Sequence, residues 1–458
     1  MKVVICGAGQ VGFGIAERIA AEKNDVSIID TSARLVAAVS QQLDVRGFVG
    51  NGAQPDVLMQ AGAEHADMLI AVTQSDEVNM VACQVAHSLF NVPTKVARVR
   101  GSSYLDPKWR DLYNTEHLPI DVIISPELEV AEMVLRRVAL PGAVDTASFA
   151  EGEVIVCGVS CEPDCPLVDT PLKQLTDLFP DLRAVIIGIE RAGRAFVPRS
   201  DDQLLVGDLV YVASPREQVS RNLSLFGHDE QAPTRIVIAG GGNIGAHVAL
   251  ALEERFPKAR LKLIEASRDR AVELAEKLAR TVVLHGSALD REILEEADVE
   301  TADLAVALTN DDQVNMLSSV MARRLGAKRN LCLINNATFQ PFARTLGVDA
   351  YVNPRAITVS RILQHVRRGR IRSVYSVLDG KAEVIEAEAL DTSPLVGKPL
   401  RDLPAIKGMR FGAIWRGGKV IAPRGDTVVQ AKDRVVIFAL REQVRQVELL
   451  FRVSLEFF

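Results

Sequence analysis

The stretch VVICGAGQVG at residues 3–12 sets a short apolar run before a glycine-rich turn, and IVIAGGGNIG at 236–245 repeats this arrangement. In GAGQVG the glycines have the spacing of a turn that joins a strand to a helix. Gly7 allows the tight turn, Gly9 lets a pyrophosphate approach the backbone, and Gly12 lets the helix pack closely on the strand. Both stretches therefore predict a strand, a turn and a helix that could hold a dinucleotide.

The two halves of the chain resemble each other well beyond these turns. Gly50–Phe90 aligns without a gap on Gly286–Gly326, and fourteen of these 41 positions are identical. Weaker similarity joins IDVIISP at 120–126 to VDAYVNP at 348–354, and PLVDTPL at 166–172 to PLVGKPL at 394–400. The chain is therefore one unit of roughly 230 residues that has been duplicated.

Each half changes its pattern about two-thirds of the way along. The first part alternates apolar runs with helical stretches, and in the first half these runs are 3–6, 26–29, 45–49, 68–72 and 96–99. This alternation predicts right-handed βαβ connections and a parallel sheet that is buried on both faces. The later parts, Glu153–Ala213 and Glu383–Phe438, carry short β-branched runs broken by Gly and Pro. The predicted class is α/β, with two tandem units, each a Rossmann-like doubly wound parallel sheet followed by a small, mainly antiparallel α+β module.

The predicted domains follow from these pattern changes. The Rossmann-like domains span 1–123 and 232–350, and the small C-terminal modules span 143–227 and 370–454. Hydrophilic breaks at Gly227–Pro233 and near Arg367–Arg372 mark the predicted linkers.

Composition excludes several classes of protein. With 53 basic and 59 acidic residues the net charge is -6, so no global charge attracts the chain to nucleic acid or to an anionic membrane. The content of 48% hydrophobic and 24% charged residues is typical of a soluble globular protein. Six cysteines without a secretion signal indicate a reducing cytoplasm and free thiols, and we predict no transmembrane segment.

Acidic residues at the ends of the second strands support an adenosine site in each half. Asp30 ends the strand DVSIID and Glu265 ends LKLIE, where a carboxylate can accept hydrogen bonds from both ribose hydroxyls. The negative charge at Asp30 disfavours the 2'-phosphate of NADP. A Rossmann half that keeps its glycines only for packing is the alternative.

Further polar residues follow later strands of each half. Thr73-Gln74 and Thr309 follow the fourth strands, where they could contact a ribose or a phosphate, or cap the next helix together with Ser75 or Asp76. Arg98 ends the fifth strand, where its guanidinium would suit a phosphate, but Leu333 aligns with it in the second half. We therefore expect the two sites to differ.

The sequence offers little for catalysis. The small modules contain no His–carboxylate pair, metal-ligand motif or nucleophile motif at a suggestive spacing, so we predict no catalytic residues, no metal and no enzyme. Cys157, Cys161 and Cys165 recur every fourth residue, but this spacing lacks CxxC geometry and favours free thiols over metal binding or redox sensing. An NAD-dependent oxidoreductase remains the alternative function, and a scaffold with vestigial nucleotide folds is a third.

The order of GxGxxG, an acid, AVTxxDExNM and a β-rich C-terminal module resembles the RCK family (KTN plus TrkA-C domains), which regulates potassium transport. The resemblance covers the chain from end to end. It implies a cytoplasmic regulatory subunit, peripheral on the inner face of the cell membrane, that binds NAD(H) and in some members ATP or ADP. It also implies that the subunit gates a membrane potassium-translocating partner of the TrkH or TrkG type, and that it assembles as a homo-oligomeric ring, here a tetramer.

The motif and the resemblance together give one set of candidate nucleotide-binding residues in each half. In the first half they are Gly7, Ala8, Gly9, Gln10, Val11, Gly12, Asp30, Thr73, Gln74 and Arg98. In the second half they are Gly240, Gly241, Gly242, Asn243, Ile244, Gly245, Glu265 and Thr309. Some family members carry an arginine inside the glycine turn that reaches the nucleotide of a neighbouring subunit, and this chain has Gln10 and Asn243 there instead.

Overall fold

The structure is a computed structural model, and it describes residues 1–101, 103–174, 183–229, 231–336, 338–366 and 371–451. Most of the predicted linker near Arg367–Arg372 lies outside the described residues, and its end already belongs to a strand that begins at Ile371. A bilayer-spanning segment is not found among the described helices.

The N-terminal sheet is parallel, with the strand order β3-β2-β1-β4-β5-β6. Its strands are β1 Lys2–Cys6, β2 Asp25–Asp30, β3 Arg46–Val49, β4 Met68–Ala71, β5 Thr94–Arg98 and β6 Val122–Ile124. Its helices are α1 Gln10–Ala21, α2 Ala33–Gln42, α3 Pro55–Gln60, α4 Asp76–Phe90 and α5 Pro126–Ala139. All four residues of β4 are buried, because helices cover both faces of the sheet. The predicted doubly wound sheet is confirmed, and β6 is an edge strand that the pattern of apolar runs does not predict.

A small antiparallel sheet follows, with the order β10-β9-β11-β8-β7. Its strands are β7 Asp145–Phe149, β8 Val154–Ser160, β9 Val185–Arg191, β10 Arg194–Phe196 and β11 Leu209–Pro215, and helix α6 Val219–Leu225 comes after them. Arg191 lies across the sheet from Asp208 and donates to both of its carboxylate oxygens at 2.8 and 2.7 Å. The predicted α+β module is confirmed.

The second half repeats both sheets, in the orders β14-β13-β12-β15-β16-β17 and β18-β19-β22-β20-β21. The strands of the parallel sheet are β12 Arg235–Ala239, β13 Arg260–Glu265, β14 Val282–His285, β15 Leu304–Ala307, β16 Asn330–Leu333 and β17 Ala350–Val352. Its helices are α7 Asn243–Arg255, α8 Arg268–Lys277, α9 Arg291–Glu296, α10 Asp312–Leu325, α11 Gln340–Leu346 and α12 Pro354–Val366. The second module comprises β18 Ile371–Val377, β19 Ala382–Glu388, β20 Met409–Arg416, β21 Lys419–Ile421, β22 Arg434–Leu440 and helix α13 Val444–Leu449.

The chain divides into two compact units that do not coincide with its two halves. One unit contains 1–129 together with 354–367, so the second half of the chain supplies α12 to the first parallel sheet. Ile362 of α12 is fully buried in the apolar cluster that also contains Ile15 of α1. The Arg355 guanidinium lies 5.6 Å from the centre of the Phe13 ring, within the range of a cation–π contact.

The other unit contains 130–353 and 368–458, so α5 belongs to it from Val130 onward. Glu132 of α5 pairs with Arg255 of α7, with Nη1 and Oε2 2.9 Å apart, and Arg137 donates to the Tyr351 carbonyl at 2.6 Å. The compact units thus cut across the four predicted domains, whose boundaries stay predictions.

The two small modules share an apolar core within this second unit. Phe438 of β22 is fully buried, and its ring lies so close to Gly188 of β9 that a Cβ there would sit 2.4 Å from it. Asp145 accepts hydrogen bonds from Tyr375 of the second module at 2.7 Å and from Tyr211 of the first at 3.2 Å. The modules therefore form one packed body.

Candidate nucleotide sites

The first glycine turn has the geometry that its sequence predicts. Gly7 has a φ of +111°, which L side chains rarely adopt, and a Cβ at Gly12 would lie 1.8 Å from the Gly7 carbonyl oxygen. Gly9 precedes the first residue of α1, and a Cβ there would meet nothing within 4 Å. The first backbone N–H groups of α1, at Gln10 and Val11, have no acceptor within their own helix. The turn is therefore tightly packed inside and open outside, as an anion site at a helix N-terminus requires.

Asp30 fixes the shape of this turn. Its Oδ2 accepts from the Ala8 N–H at 2.7 Å, and its Oδ1 accepts from the Ser32 N–H at 2.8 Å. A carboxylate oxygen can accept more than one hydrogen bond, so both oxygens retain capacity for ribose hydroxyls.

The second turn repeats this construction. Gly240 has a φ of +103°, a Cβ at Gly245 would lie 1.9 Å from the Gly240 carbonyl oxygen, and a Cβ at Gly242 would meet nothing within 4 Å. Glu265 accepts from the Gly241 N–H at 2.7 Å and from the Ser267 N–H at 2.8 Å. The extra methylene of glutamate thus leaves the bonding pattern unchanged.

Thr73 and Thr309 stabilise the turns after the fourth strands. The Thr73 hydroxyl donates to Asn79 Oδ1 at 2.7 Å, and Thr309 does the same to Asn315 at 2.7 Å. The side chain that caps α4 is Ser75, and the one that caps α10 is Asp311. Both threonine hydroxyls therefore donate their hydrogen within the protein, and toward a ligand they can act only as hydrogen-bond acceptors. Gln74 is exposed beside this turn.

The sequence does not assign a role to the two asparagines. Asn79 and Asn315 are each 0% exposed, and Asn79 Nδ2 donates to the Arg98 carbonyl at 2.9 Å, which joins the ends of the fourth and fifth strands. Both asparagines belong to the VNM segment that the two repeats share. This recurrence indicates a structural role, since a polar residue on the buried face of a helix needs hydrogen-bond partners.

Arg98 distinguishes the first site from the second. Its Nη2 donates to the Thr73 carbonyl at 2.7 Å, while its buried Nε has no hydrogen-bond partner among the described residues. Burial, and then the charge of Arg100, lower the pKa of Arg98. Asn315 donates to the Leu333 carbonyl at 3.2 Å, so Leu333 occupies the equivalent place in the second half. A buried donor next to Thr73 is therefore present in the first half, and Leu333 takes its place in the second.

Arg270 is a cation beside the second glycine turn that the sequence motifs do not single out. Its Nε donates to the Gly241 carbonyl at 2.9 Å, and its Nη1 lies 2.6 Å from Glu273. The backbone N–H of Arg270 donates to the side chain of Ser267, which caps α8. The backbone N–H of Leu35 makes the same bond to Ser32 at the start of α2, so Leu35 is the equivalent residue of the first half. Arg98 beside the first turn and Arg270 beside the second thus come from different elements.

The six cysteines, including Cys157, Cys161 and Cys165, are free and buried. Burial raises the pKa of Cys157 to about 12, which keeps this thiol protonated and unreactive. Within the described residues, no group of three or more His, Cys, Asp or Glu side chains could hold a metal ion.

Known protein families match most of the chain. The TrkA-N domain matches residues 3–126 and 236–354, and the TrkA-C domain matches residues 158–227 and 384–452. These matches alternate along the chain as the two parallel sheets and the two small modules do.

Relatives and solved structures agree with this match. The Trk system potassium uptake protein TrkA of Azorhizobium caulinodans is 63% identical over 100% of both chains, and that of Halomonas elongata is 42% identical over 100% of both. The crystal structure of the GsuK RCK domain covers 98% of this chain and 95% of its own, with a TM-score of 0.60 at 17% identity. The GsuK channel bound to NAD covers 98% of this chain and 79% of its own, with a TM-score of 0.59 at 17% identity. At such identity the structures support the fold alone, whereas the domain matches and the relatives decide the family: the chain belongs to the Trk system potassium uptake proteins TrkA.

Proposed function

We propose that this chain is a cytoplasmic, nucleotide-binding regulatory subunit without catalytic activity, and that it gates a membrane potassium-translocating partner of the TrkH or TrkG type. The observation that carries the proposal is the construction of the two glycine turns, in which an acid holds the turn and the outer side stays open. The membership in the TrkA family supports a role in potassium uptake. A fold shared with a channel that was solved bound to NAD supports NAD(H) as a ligand, and one solved with ADP supports ATP or ADP as further ligands.

In the proposed mechanism, the N-terminus of α1 and the Arg98 guanidinium bind the phosphates, and Asp30 binds the ribose. A nucleotide changes gating only through its different affinity for two arrangements of the assembly. A tenfold change in gating requires a difference of about 1.4 kcal/mol in binding free energy. The ring is proposed to be a tetramer that lies on the inner face of the membrane, where movement between neighbouring Rossmann-like domains reaches the partner.

Titration of the purified full-length protein with NAD, NADH, ATP and ADP tests this proposal. We expect Asp30→Ala to weaken binding at the first turn about 10- to 100-fold and Glu265→Ala to do the same at the second, since each removes charged hydrogen bonds to a ribose. Calorimetric stoichiometry then assigns each ligand to one half. Unchanged affinities for all four nucleotides in both variants would contradict the site assignment.

Arg98→Leu tests whether the two sites differ as proposed. The change introduces at position 98 the leucine that the second half has at the equivalent Leu333, so the fold should tolerate it. We expect a loss of about tenfold in affinity for NADH at the first turn, because a charge-assisted hydrogen bond to a phosphate is removed. The matched change Arg270→Leu introduces the leucine that the first half has at the equivalent Leu35. It should leave the affinity for NADH at the first turn unaffected. Equal effects of both changes at the first turn would refute the distinction.

An NAD-dependent oxidoreductase is the alternative function, and a scaffold with vestigial nucleotide folds is another. The oxidoreductase requires turnover of the cofactor, which absorbance measurements with candidate substrates detect. The scaffold requires that calorimetry find no binding of NAD(H) or adenine nucleotides. Binding without turnover, together with nucleotide-dependent potassium uptake in cells, is the result expected for a regulatory subunit.

A further inference from the structure

A cavity of about 170 Å³ lies within the second compact unit, between the two small modules. The first module lines it mainly with apolar side chains, among them Leu167, Leu225 and Phe226, and the second module contributes Arg410 and Arg424. An apolar cavity of roughly 150 Å³ can hold a benzene molecule, so this one has room for a ligand of that size.

Asn222 of α6 places an amide in this lining. It is 6% exposed, and neither its Oδ1 nor its Nδ2 atom has a hydrogen-bond partner among the described residues. The second module has Val447 at the equivalent position, because REQV at 216–219 corresponds to REQV at 441–444. Val447 is fully buried in an apolar cluster. The module fold therefore accepts valine here, and the amide of Asn222 is not required for folding.

Arg410 of β20 adds a positive charge to the cavity. Within the described residues its side chain makes one hydrogen bond, from Nη1 to the Pro198 carbonyl at 2.8 Å, and no ion pair. Burial lowers the pKa of Arg410. No Asp or Glu is found among the described residues that line the cavity. Val185 is the equivalent residue of the first module, because Arg410 pairs with Phe438 as Val185 pairs with Ala213.

We propose that this cavity is a binding site for a small organic anion with an apolar body about the size of a benzene ring. The anionic group would pair with Arg410, the amide of Asn222 would bind its polar oxygens, and the apolar body would pack against Leu225 and Phe226. The apolar lining disfavours a fully hydrated inorganic anion. The two modules contribute differently to this cavity, since Val447 takes the place of Asn222 in the second module, whereas Val185, the equivalent of Arg410, lines the same cavity. A ligand bound there would touch both modules and stabilise their association.

Calorimetry on the full-length protein tests the site, with benzoate as the probe. We expect benzoate to bind with a dissociation constant in the millimolar range, and its neutral analogue benzamide to bind at least about tenfold more weakly. Inorganic phosphate should not displace benzoate. Equal binding of benzoate and benzamide, displacement by phosphate, or no binding of benzoate would each overturn the proposal.

Variants locate the binding in this cavity. Arg410→Gln and Asn222→Val should each weaken benzoate binding by about tenfold. Asn222→Val should fold, because it introduces the valine that the second module has at the equivalent Val447. Arg401→Gln is the control, because Arg401 is an exposed arginine of the same module. Loss of binding in the control, or retention in Asn222→Val, would overturn the proposal. Gly9→Asp should leave benzoate binding unchanged, so failure at the glycine turns does not affect this test.

Discussion

Gly9→Asp is expected to abolish nucleotide binding at the first glycine turn while the protein stays folded. The new side chain has room, since a Cβ at Gly9 meets nothing within 4 Å, and the φ of -66° suits any residue. Its carboxylate would then stand where a pyrophosphate is proposed to approach. Repulsion between like charges costs several kcal/mol, so we expect the affinity for NADH at this turn to fall at least about 100-fold, as measured by calorimetry.

The neighbouring glycines provide the controls for this experiment. Gly242→Asp should have the same effect at the second turn only, because the space outside Gly242 is equally open. Gly12→Ala should instead lower the melting temperature, because its Cβ would lie 1.8 Å from the Gly7 carbonyl oxygen. Loss of control over potassium uptake in cells that carry Gly9→Asp would support regulation. Normal NADH binding by this variant, with a stoichiometry of two, would show that the site assignment is wrong.

Ile362→Ala is expected to destabilise the N-terminal parallel sheet, although Ile362 comes from the far half of the chain. Ile362 is 0% exposed and packs in the cluster that contains Ile15 and Ile70. Truncation of a fully buried isoleucine lowers the free energy of unfolding by about 2 to 5 kcal/mol. We therefore expect faster amide hydrogen exchange in β1 and β4, measured by mass spectrometry on the full-length protein.

Ile414→Ala is the matched control, because Ile414 is also 0% exposed but packs within the second small module. This variant should accelerate exchange in the strands of that module and leave β1 and β4 protected. If Ile362→Ala left exchange in β1 and β4 unchanged, the assignment of α12 to the first unit would be incorrect.

The sequence predicts those features of the sites that depend on neighbouring residues. Gly7, Gly12 and Asp30 could be assigned because a tight turn, a close helix contact and a strand-end acid each follow from local spacing. The same holds for the second half, where Gly240, Gly245 and Glu265 occupy the corresponding positions. The parallel sheets could be predicted because buried strands on both faces read as uninterrupted apolar runs.

Features that depend on distant contacts could not be predicted in this way. Arg270 reaches the Gly241 carbonyl from the next helix, and nothing in its local pattern distinguishes it from a solvated arginine. The sequence also does not show that α5 packs mainly in the second unit and α12 in the first. The pattern of an amphipathic helix indicates which face is apolar but not which sheet that face covers.

Because α5 and α12 trade places, neither half of this polypeptide encodes a complete core by itself. A chain with a single repeat would therefore need a second copy to supply the helix that completes its core. Within one chain the two halves need not be identical, and they differ beside the glycine turns, where Leu333 stands in place of Arg98 and Arg270 in place of Leu35.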